Sequence, residues 1–277
     1  MTHSASVLHH RGDYRPFPYR MLRVTLHILL DAETTRVRSR LEVMASTDGG
    51  TELPPLRLDG RDLDILSLAI DGHPLPRPQW RLDSQGVTLV PPGTGPFVVE
   101  SECLIHPAAN TALEGLYQSG NLLCTQCEAE GFRKITLYPD RPDVMSVFDV
   151  TLEGDARRYP VMLCNGNPGA VEPLPGNRQR VRWQDPFPKP SYLFALVAGD
   201  LQRLEDHFIT ASGRRVTLWL FSEAQNIHRC GHAMASLKLA MAWDESRFGR
   251  EYDLDLFMIV AVGDFNMGAM ENKGLNI

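Results

Sequence analysis

The stretch that decides the fold class is residues 22–43, LRVTLHILLDAETTRVRSRLEV. Two runs in it place an apolar or small residue at every second position, and a polar break from Asp31 to Thr35 separates them. The alternating positions are Leu22, Val24, Leu26, Ile28, Leu30, Val37, Ser39, Leu41 and Val43. Because a period of two sends successive side chains to opposite faces of a strand, the pattern predicts a β-hairpin with one wet face.

The first two hundred residues continue in the same manner. Further short runs of strand-forming residues cover 65–70, 87–90, 97–104, 148–152, 161–164 and 181–183. Clusters of proline and glycine lie between many of these runs. Many short strands with frequent turns indicate a mainly β domain, built as a saddle-like antiparallel β-sandwich. We assign residues 1–200 to this domain.

The pattern changes after Gly199 and Asp200. A strand is predicted at 215–221, and a helix follows, with Ser222 or Asn226 as its N-cap and Gly249 at its end. The residues at helical spacing are Met234, Leu237, Met241, Asp244 and Phe248. A second strand is predicted at 254–262. A unit of this length can hardly complete a hydrophobic core. We therefore expect residues 201–277 to be the truncated start of an α/β domain, with exposed apolar surface.

The composition excludes several classes of protein. No run approaches the roughly 18 apolar residues of a membrane-spanning helix. A net charge of −6 with interspersed signs argues against a nucleic-acid surface, so we expect neither membrane nor nucleic acid as a partner. Residues 1–15 are polar and lack the apolar segment of a signal peptide, which predicts a cytoplasmic protein. Five cysteines, an odd number, indicate free thiols rather than a disulfide framework.

Residues 268–272, GAMEN, are the clearest candidate for a binding site in the sequence. Gly268 and Ala269 have little or no side chain, so the backbone of a ligand can approach them closely. Glu271 offers a carboxylate to a cation such as the ammonium group of a peptide. From the residues alone, the alternative is an ordinary strand-to-turn segment with a solvated glutamate.

A second candidate segment reads CTQCEAEGFR, residues 124–133. Its Cys-x-x-Cys pair leaves a thiol redox role as an alternative, but there is no second pair at zinc-site spacing, so we interpret both cysteines as small buried residues. They are Cys124 and Cys127. If the segment is a strand, Gln126, Glu128 and Glu130 share one face, which either borders a cleft or is simply solvated.

Two histidines, His228 and His232, stand four residues apart. A zinc-peptidase helix needs a glutamate directly after its first histidine, because that glutamate acts as the base on metal-bound water. Arg229 occupies this position. We therefore interpret the pair as the surface end of a helix and not as a metal site.

Residues 268–272 resemble the exopeptidase motif of the zinc aminopeptidases of the aminopeptidase N family. Further blocks resemble the bacterial alanyl aminopeptidase branch of that family and occur in family order. These blocks are 110–120, 124–133, 138–144, 183–190 and 192–200. The resemblance runs from about Asp13 to Ile277, which covers nearly the whole chain.

The resemblance implies a site for the free N-terminus of a peptide. Glu271 and Glu128 would bind the α-ammonium group, and Gln126 would line the same end of the site. The resemblance selects Glu128 over Glu130 for this role. A blocked or internal amide carries no such charge, so the two carboxylates would give exopeptidase selectivity.

The same resemblance implies roles for the residues around Glu271. Gly268 and Ala269 would hold the peptide backbone by strand-like hydrogen bonds. Met267 would lie at the first side-chain pocket, where a flexible thioether adapts to different residues. Met270 is included among the substrate-binding residues, and Asn272 would orient the motif.

The implied fold is a β-rich N-terminal domain followed by a thermolysin-like catalytic domain with zinc as its cofactor. The family's H-E-x-x-H motif and its transition-state tyrosine do not occur in these 277 residues, so no catalytic residue or metal ligand is assigned. We expect the chain alone to be inactive, with the remainder of the catalytic domain as its partner and peptides with a free N-terminus as substrates. The alternative is a non-catalytic β-sandwich module that binds peptides.

Overall fold

The computed structural model describes residues 10–46, 53–77 and 79–277, so residues 1–9 of the polar N-terminal segment lie outside it. In the described ranges the chain forms twenty strands, one α-helix and five short 3-10 helices. The strands are β1 (Tyr19–Leu29), β2 (Thr35–Ala45), β3 (Leu56–Asp59), β4 (Asp64–Ile70), β5 (His73–Pro74), β6 (Trp80–Asp83), β7 (Gly86–Leu89), β8 (Phe97–Ile105), β9 (Gly115–Ser119), β10 (Leu122–Gln126), β11 (Met145–Asp155), β12 (Val161–Cys164), β13 (Asn167–Pro168), β14 (Glu172–Leu174), β15 (Arg178–Pro190), β16 (Leu196–Gly199), β17 (Gln202–Ile209), β18 (Arg215–Ser222), β19 (Leu256–Val260) and β20 (Leu275–Asn276). The α-helix is α1 (Gly231–Phe248), and the 3-10 helices are Arg11–Asp13, Pro107–Ala109, Phe132–Lys134, Ser191–Leu193 and Ile227–Arg229.

The predicted hairpin is confirmed, and its first strand contains an irregularity. Strands β1 and β2 pair antiparallel, with Thr25 opposite Arg40. A bulge between Met21 and Arg23 shifts the register. As a result Met21 is buried and Leu22 is exposed, so the expectation that Leu22 faces the core is wrong. A bulge adds one residue to a strand and reverses the phase of the alternation on one side of it.

The hairpin lies inside a nine-stranded sheet of the described residues. Its order is β13-β15-β11-β1-β2-β8-β4-β5, and β14 pairs with β15. All neighbours in this sheet are antiparallel except β1 and β11, which pair parallel from Arg23 with Val147 to Leu29 with Glu153. A parallel pair cannot be closed by a tight turn, so a long connection must join the two strands.

Two smaller sheets complete the β-rich part of the chain. One has the order β3-β7-β6, and the other has the order β12-β16-β10-β9. All five residues of β10 and all four of β16 are buried, which is the pattern of strands covered on both faces. The mainly β fold with sandwiched sheets is confirmed.

An aromatic cluster occupies the centre of the core. The ring of Phe132 lies 5.2 Å from that of Tyr138, 5.9 Å from Phe148 and 5.1 Å from Phe194, in edge-on geometries. All four side chains are buried. Edge-to-face contacts at these distances add to the free energy gained from burying apolar surface.

A fourth sheet begins after β16 and has the order β17-β18-β19-β20. Strands β18, β19 and β20 pair parallel, and α1 connects β18 to β19, so the segment is a βαβ unit followed by one more strand. This is the start of an α/β arrangement, as the change of period predicts. The division into two domains near residue 200 stays a prediction.

The two faces of this sheet belong to different cores. Leu256, Met258 and Val260 of β19 join the large core of the preceding sheets. On the opposite face, Phe257 and Ile259 pack with Val216, Leu218 and Leu220 of β18 and with Met234 and Met241 of α1. Because side chains alternate along a strand, β19 holds α1 on one side and the β-rich domain on the other.

Helix α1 ends as predicted and begins differently. Gly249 adopts a left-handed conformation with φ of 63° at the C-cap, which glycine tolerates without a steric penalty. The helix starts at Gly231 and has no side-chain cap, so the predicted caps Ser222 and Asn226 are wrong, because the 3-10 helix 227–229 intervenes. Leu239 and Trp243 are 73% and 56% exposed on its outer face, in line with the expected apolar surface. Among the described helices, none is long and apolar enough to cross a membrane.

The aromatic cluster gives a test of the core. Phe132→Ala should lower the free energy of unfolding by about 3–5 kcal/mol, because it leaves a cavity between three rings. Urea denaturation followed by tryptophan fluorescence measures the change. Phe248→Ala is the matched control, since that ring is 58% exposed. Equal losses in the two variants would contradict the assignment of Phe132 to the centre of the core.

Candidate functional site

Gln126 and Glu128 lie where β10 ends. Gln126 is the last residue of the strand and pairs with Gly115 of β9. The chain then turns through residues 128–130, and the amide of Gly131 donates to the carbonyl of Cys127 at 2.8 Å. Gln126 is 1% exposed, whereas Glu128 is exposed. Residues 126, 128 and 130 therefore do not share one face of a strand, because β10 ends before Glu128 and Glu130.

The turn lies very close to the end of the strand, and glycine makes this possible. A Cβ atom on Gly131 would lie 2.3 Å from the carbonyl oxygen of Gln126 and 2.8 Å from the amide nitrogen of Gly115. Both are backbone atoms that cannot swing aside. Gly131 therefore fixes the position of Glu128 relative to β9 and β10.

The two acids of this turn have different surroundings. The Glu130 carboxylate lies 3.3 Å from a guanidinium nitrogen of Arg133, which also contacts Asp140 at 3.2 Å. Within residues 10–46, 53–77 and 79–277, no cationic nitrogen lies within 4.0 Å of the Glu128 carboxylate. Glu128 is exposed and has its charge available to a ligand, while Glu130 is already paired.

Residues 268–272 fold back against the end of the chain. The amide of Met270 donates to the carbonyl of Ile277 at 2.7 Å, and the amide of Ile277 donates to the carbonyl of Met270 at 3.1 Å. Met270 and Asn272 are buried, whereas Gly268, Ala269 and Glu271 are exposed. Met267 is 50% exposed. The alternation puts the Glu271 carboxylate on the open side of the segment.

Gly268 and Lys273, on either side of Glu271, do not block the open side of the segment. A Cβ atom on Gly268 would meet no atom of the described chain within 4 Å, so internal packing does not require glycine there. Lys273 is held by Asp253, whose carboxylate oxygens lie 2.8 and 2.9 Å from its ammonium nitrogen. In the part of the chain that is described, no cationic nitrogen lies within 4.0 Å of the Glu271 carboxylate.

The fold brings the two segments to neighbouring strands. Asp264, at the start of the loop that leads to residue 268, bonds to Ser119 and Tyr117 of β9. The side-chain amide of Asn266 donates to the carbonyl of Leu113 at 2.8 Å, just before β9. Strand β9 pairs directly with β10, at whose end Glu128 lies. The two candidate segments therefore lie on adjacent parts of the same surface.

The residues that hold the loop in place cannot be identified from the sequence pattern. Tyr117 and Ser119 lie in a block of the family resemblance that implies no role for them, and Asn165 lies in none of the blocks. Each contacts a partner more than a hundred positions away in the chain. Local periodicity carries no signal for such contacts.

Gln126 and Asn272 share an unusual environment. Both are 1% exposed, and within the described ranges neither amide oxygen nor amide nitrogen of these side chains has a hydrogen-bond partner. A buried polar group without a partner costs about 1–3 kcal/mol. The two amides, one in each candidate segment, therefore have hydrogen-bonding capacity for a ligand or an ordered water.

The cysteines do not have the environment of reactive thiols. Cys124 and Cys127 are buried. Burial raises the pKa of the Cys124 thiol to about 11 and raises the pKa of Cys127 well above its usual value. The nucleophilic thiolate is therefore scarce at neutral pH, which argues against a redox role.

The two histidines lie on different elements. His228 belongs to the 3-10 helix 227–229, and His232 is the second residue of α1. Both are exposed, as expected for a surface helix end. Among the described residues, no group of three or more His, Cys, Asp and Glu side chains is placed to hold a metal ion.

Comparison with known proteins identifies the family of the chain. The sequence profile of the Peptidase M1 N-terminal domain matches residues 20–193, more than half of the chain. The chain belongs to the peptidase M1 family. The profile of the Peptidase family M1 domain also matches residues 232–277, which include α1 from its second residue onward and the segment 268–272.

Individual relatives cover almost the whole chain. It is 53% identical to Aminopeptidase N of Caulobacter vibrioides over 96% of its length, and 51% identical to Aminopeptidase N of Escherichia coli over 97%. Among solved structures, Legionella pneumophila aminopeptidase A in complex with aspartic acid matches 96% of this chain with a TM-score of 0.91 and 34% identity. The chain spans about 30% of the length of each of these relatives.

The close approach at Gly131 predicts a local defect in a variant. Gly131→Ala should lower the free energy of unfolding by roughly 1–3 kcal/mol, because the new methyl group overlaps two backbone atoms. Urea denaturation measures the change. Gly93→Ala is the control, since a Cβ atom there meets nothing within 4 Å. A Gly131→Ala protein as stable as the control would contradict the described contact.

The burial of the cysteines predicts a labelling pattern. In the native protein at about neutral pH, iodoacetamide should modify Cys230, which is half-buried, and spare the four buried cysteines, whose thiols are enclosed. Peptide mass spectrometry measures the modified fraction at each position. The denatured protein is the control and should react at all five positions. Rapid native labelling of Cys124 or Cys127 would contradict their structural role.

Proposed function

We propose that this chain is the substrate-recognition part of a zinc-dependent aminopeptidase that releases N-terminal residues from peptides. The observation that carries the proposal is the pair of exposed and uncompensated carboxylates, Glu128 and Glu271, on adjacent segments of an M1 family chain. The relatives' names and the aspartic acid bound to the Legionella enzyme support it. Family membership favours this function over an isolated peptide-binding module.

The two glutamates would select for a free amine. A protonated α-ammonium group has three N–H donors, and each carboxylate accepts charge-assisted hydrogen bonds. An acetylated N-terminus lacks the charge and two of the donors. A blocked peptide would therefore form fewer hydrogen bonds with the two carboxylates. It would also leave their negative charges without a compensating cation.

The rest of the segment would position the peptide. Gly268 and Ala269 leave their backbone groups open to a ligand in extended conformation. Met267 offers a half-exposed, flexible thioether to the first side chain of the substrate. Met270 and Asn272 are enclosed, so we propose that they orient the segment from beneath. Gln126 would support the ammonium end from its buried position.

The zinc ion of the family does not fit the residues described here. When bound, zinc supplies an activated water for hydrolysis in such enzymes. The described residues contain no group that could hold it, so we assign no step of metal chemistry to this chain. We propose that the remainder of a thermolysin-like catalytic domain provides it and covers the exposed face of α1 at Leu239 and Trp243.

Three further expectations remain predictions. The boundary near residue 200 falls between the last strand of the β-rich sheets, which ends at Gly199, and the first strand of the fourth sheet, which starts at Gln202. We also propose a cytoplasmic location. Peptide catabolism is the proposed cellular role, with short peptides as substrates.

The proposed function predicts unequal effects of three matched variants in the complete protein. Glu271→Gln and Glu128→Gln should each lower kcat/KM for alanine p-nitroanilide by about tenfold to a hundredfold, since each removes a charge-assisted hydrogen bond worth about 1.5–3 kcal/mol. Glu130→Gln should leave kcat/KM within about twofold, because Arg133 already occupies that carboxylate.

Steady-state kinetics with the zinc-loaded protein measures these effects. Isothermal titration with L-alaninol and with N-acetyl-L-alaninol provides a second readout, because only the first carries an ammonium group. A Glu130→Gln variant that loses as much as Glu271→Gln, or a Glu271→Gln variant that loses nothing, would refute the assignment.

A further inference from the structure

The loop of residues 264–273, here called the recognition loop, is attached at both ends to the β-rich part of the chain. Its first residue, Asp264, bonds to β9, and the carbonyl of its last residue, Lys273, accepts a hydrogen bond from Asn165. Glu271 lies between these two attachments. The loop is therefore held by β9 and by the bend between β12 and β13, both outside the sheet from which it emerges.

The first attachment is built from two hydroxyl groups of β9. The phenol of Tyr117 donates to the carbonyl of Asp264 at 3.1 Å. The hydroxyl of Ser119 donates to the Asp264 carboxylate at 3.1 Å and accepts from the Asp264 amide at 3.2 Å. Both hydroxyl-bearing residues are buried, with exposures of 0% and 5%. Three hydrogen bonds to one residue fix both its backbone and its side chain.

The second attachment is the side-chain amide of Asn165, which is 3% exposed. Its nitrogen donates to the carbonyl of Lys273 at 2.8 Å and to that of Leu193 at 3.0 Å. Its oxygen accepts from the amide of Ala195 at 2.7 Å. Both N–H donors and the oxygen are engaged, and every partner is backbone, so Asn165 links two chain segments.

The segment that Asn165 holds leads directly to Glu128. The residue after Ala195 is Leu196, whose amide donates to the hydroxyl of Thr125 at 2.8 Å. Thr125 precedes Gln126 at the end of β10. A continuous set of hydrogen bonds therefore joins Lys273, two positions after Glu271, to the strand end that positions Glu128.

We propose that Tyr117, Ser119 and Asn165 are positioning residues, which set the separation of the Glu271 and Glu128 carboxylates and thereby the affinity for a peptide ammonium group. The proposal rests on the proposed function. The covalent chain does not fix the distance between positions 128 and 271, so non-covalent contacts must set it, and the bonds of these three side chains are among those contacts. Charge-assisted hydrogen bonds need their donor and acceptor within a few tenths of an ångström of the best distance.

A purely structural role would have a different signature. Loss of these hydrogen bonds would then lower the melting temperature without changing how the folded protein binds an amine. A positioning role changes KM for amine-bearing substrates in protein that is still folded, while kcat changes little. The two effects are measured separately.

The test uses the complete, zinc-loaded protein with Tyr117→Phe, Ser119→Ala and Asn165→Ala. Each variant should raise KM for alanine p-nitroanilide by about threefold to tenfold and change kcat by less than about twofold, since each removes one or more hydrogen bonds worth about 1 kcal/mol. The dissociation constant of L-alaninol should rise by the same factor. That of N-acetyl-L-alaninol should not change.

Two variants outside the site are matched controls. Tyr138→Phe removes a buried phenol that bonds to Ser146 at 2.7 Å, and Ser39→Ala removes a buried hydroxyl without a partner in the described residues. The melting temperature is recorded for all five proteins. If Asn165→Ala does not fold, Tyr117→Phe and Ser119→Ala decide the question, since both keep the packing of the parent residue nearly intact.

The outcomes separate the two proposals. Weaker L-alaninol binding in the loop variants, with unchanged binding in the controls, supports positioning. Unchanged binding in all loop variants, while Glu271→Gln weakens it, overturns positioning and leaves the proposed function standing. The positioning role is also overturned if the control variants lose as much affinity for L-alaninol as loop variants of the same melting temperature. If Glu271→Gln leaves L-alaninol binding unchanged, the proposed function fails, and positioning fails with it.

Discussion

Two-sided burial of strand β19 is the constraint on which the candidate site depends. Leu256, Met258 and Val260 lie in the large core, while Phe257 and Ile259 pack beneath α1. A strand held on both faces cannot rotate or slip without exposing one of its two apolar rows. The segment that leaves β19 therefore starts from a fixed position against β9, and Glu271 follows from it.

The charges around the site show a consistent arrangement. Arg133 pairs with Glu130, and Lys273 pairs with Asp253. Each cation that is close in sequence to a candidate glutamate is thus engaged by another acid. In the described residues, Glu128 and Glu271 keep their carboxylates without a cationic partner, which is what the proposed binding of an ammonium group requires.

Much of this structure could be predicted from the sequence, and the misses have physical reasons. Alternation in residues 22–43 reveals the hairpin, but the bulge that exposes Leu22 leaves no mark in the pattern. The motif around Glu271 is recognisable because its residues are contiguous. The strand end at Gln126 is not recognisable from the sequence, because it depends on the close approach of Gly131 to the backbone of Gly115. Asn165 could not be found at all, since its partners are distant in sequence.

The parallel pairing of β1 with β11 has a consequence for how the chain is made. Residue 23 must wait for residue 147 before β1 can pair with β11, so this edge of the hairpin is still unpaired when it leaves the ribosome. Contacts between such distant positions form late and slow the folding of β-rich proteins. Synthesis therefore exposes this edge for the time needed to translate more than a hundred residues. The exposed arginines of β1 and β2 place charge along the same hairpin, and charged side chains oppose edge-to-edge association.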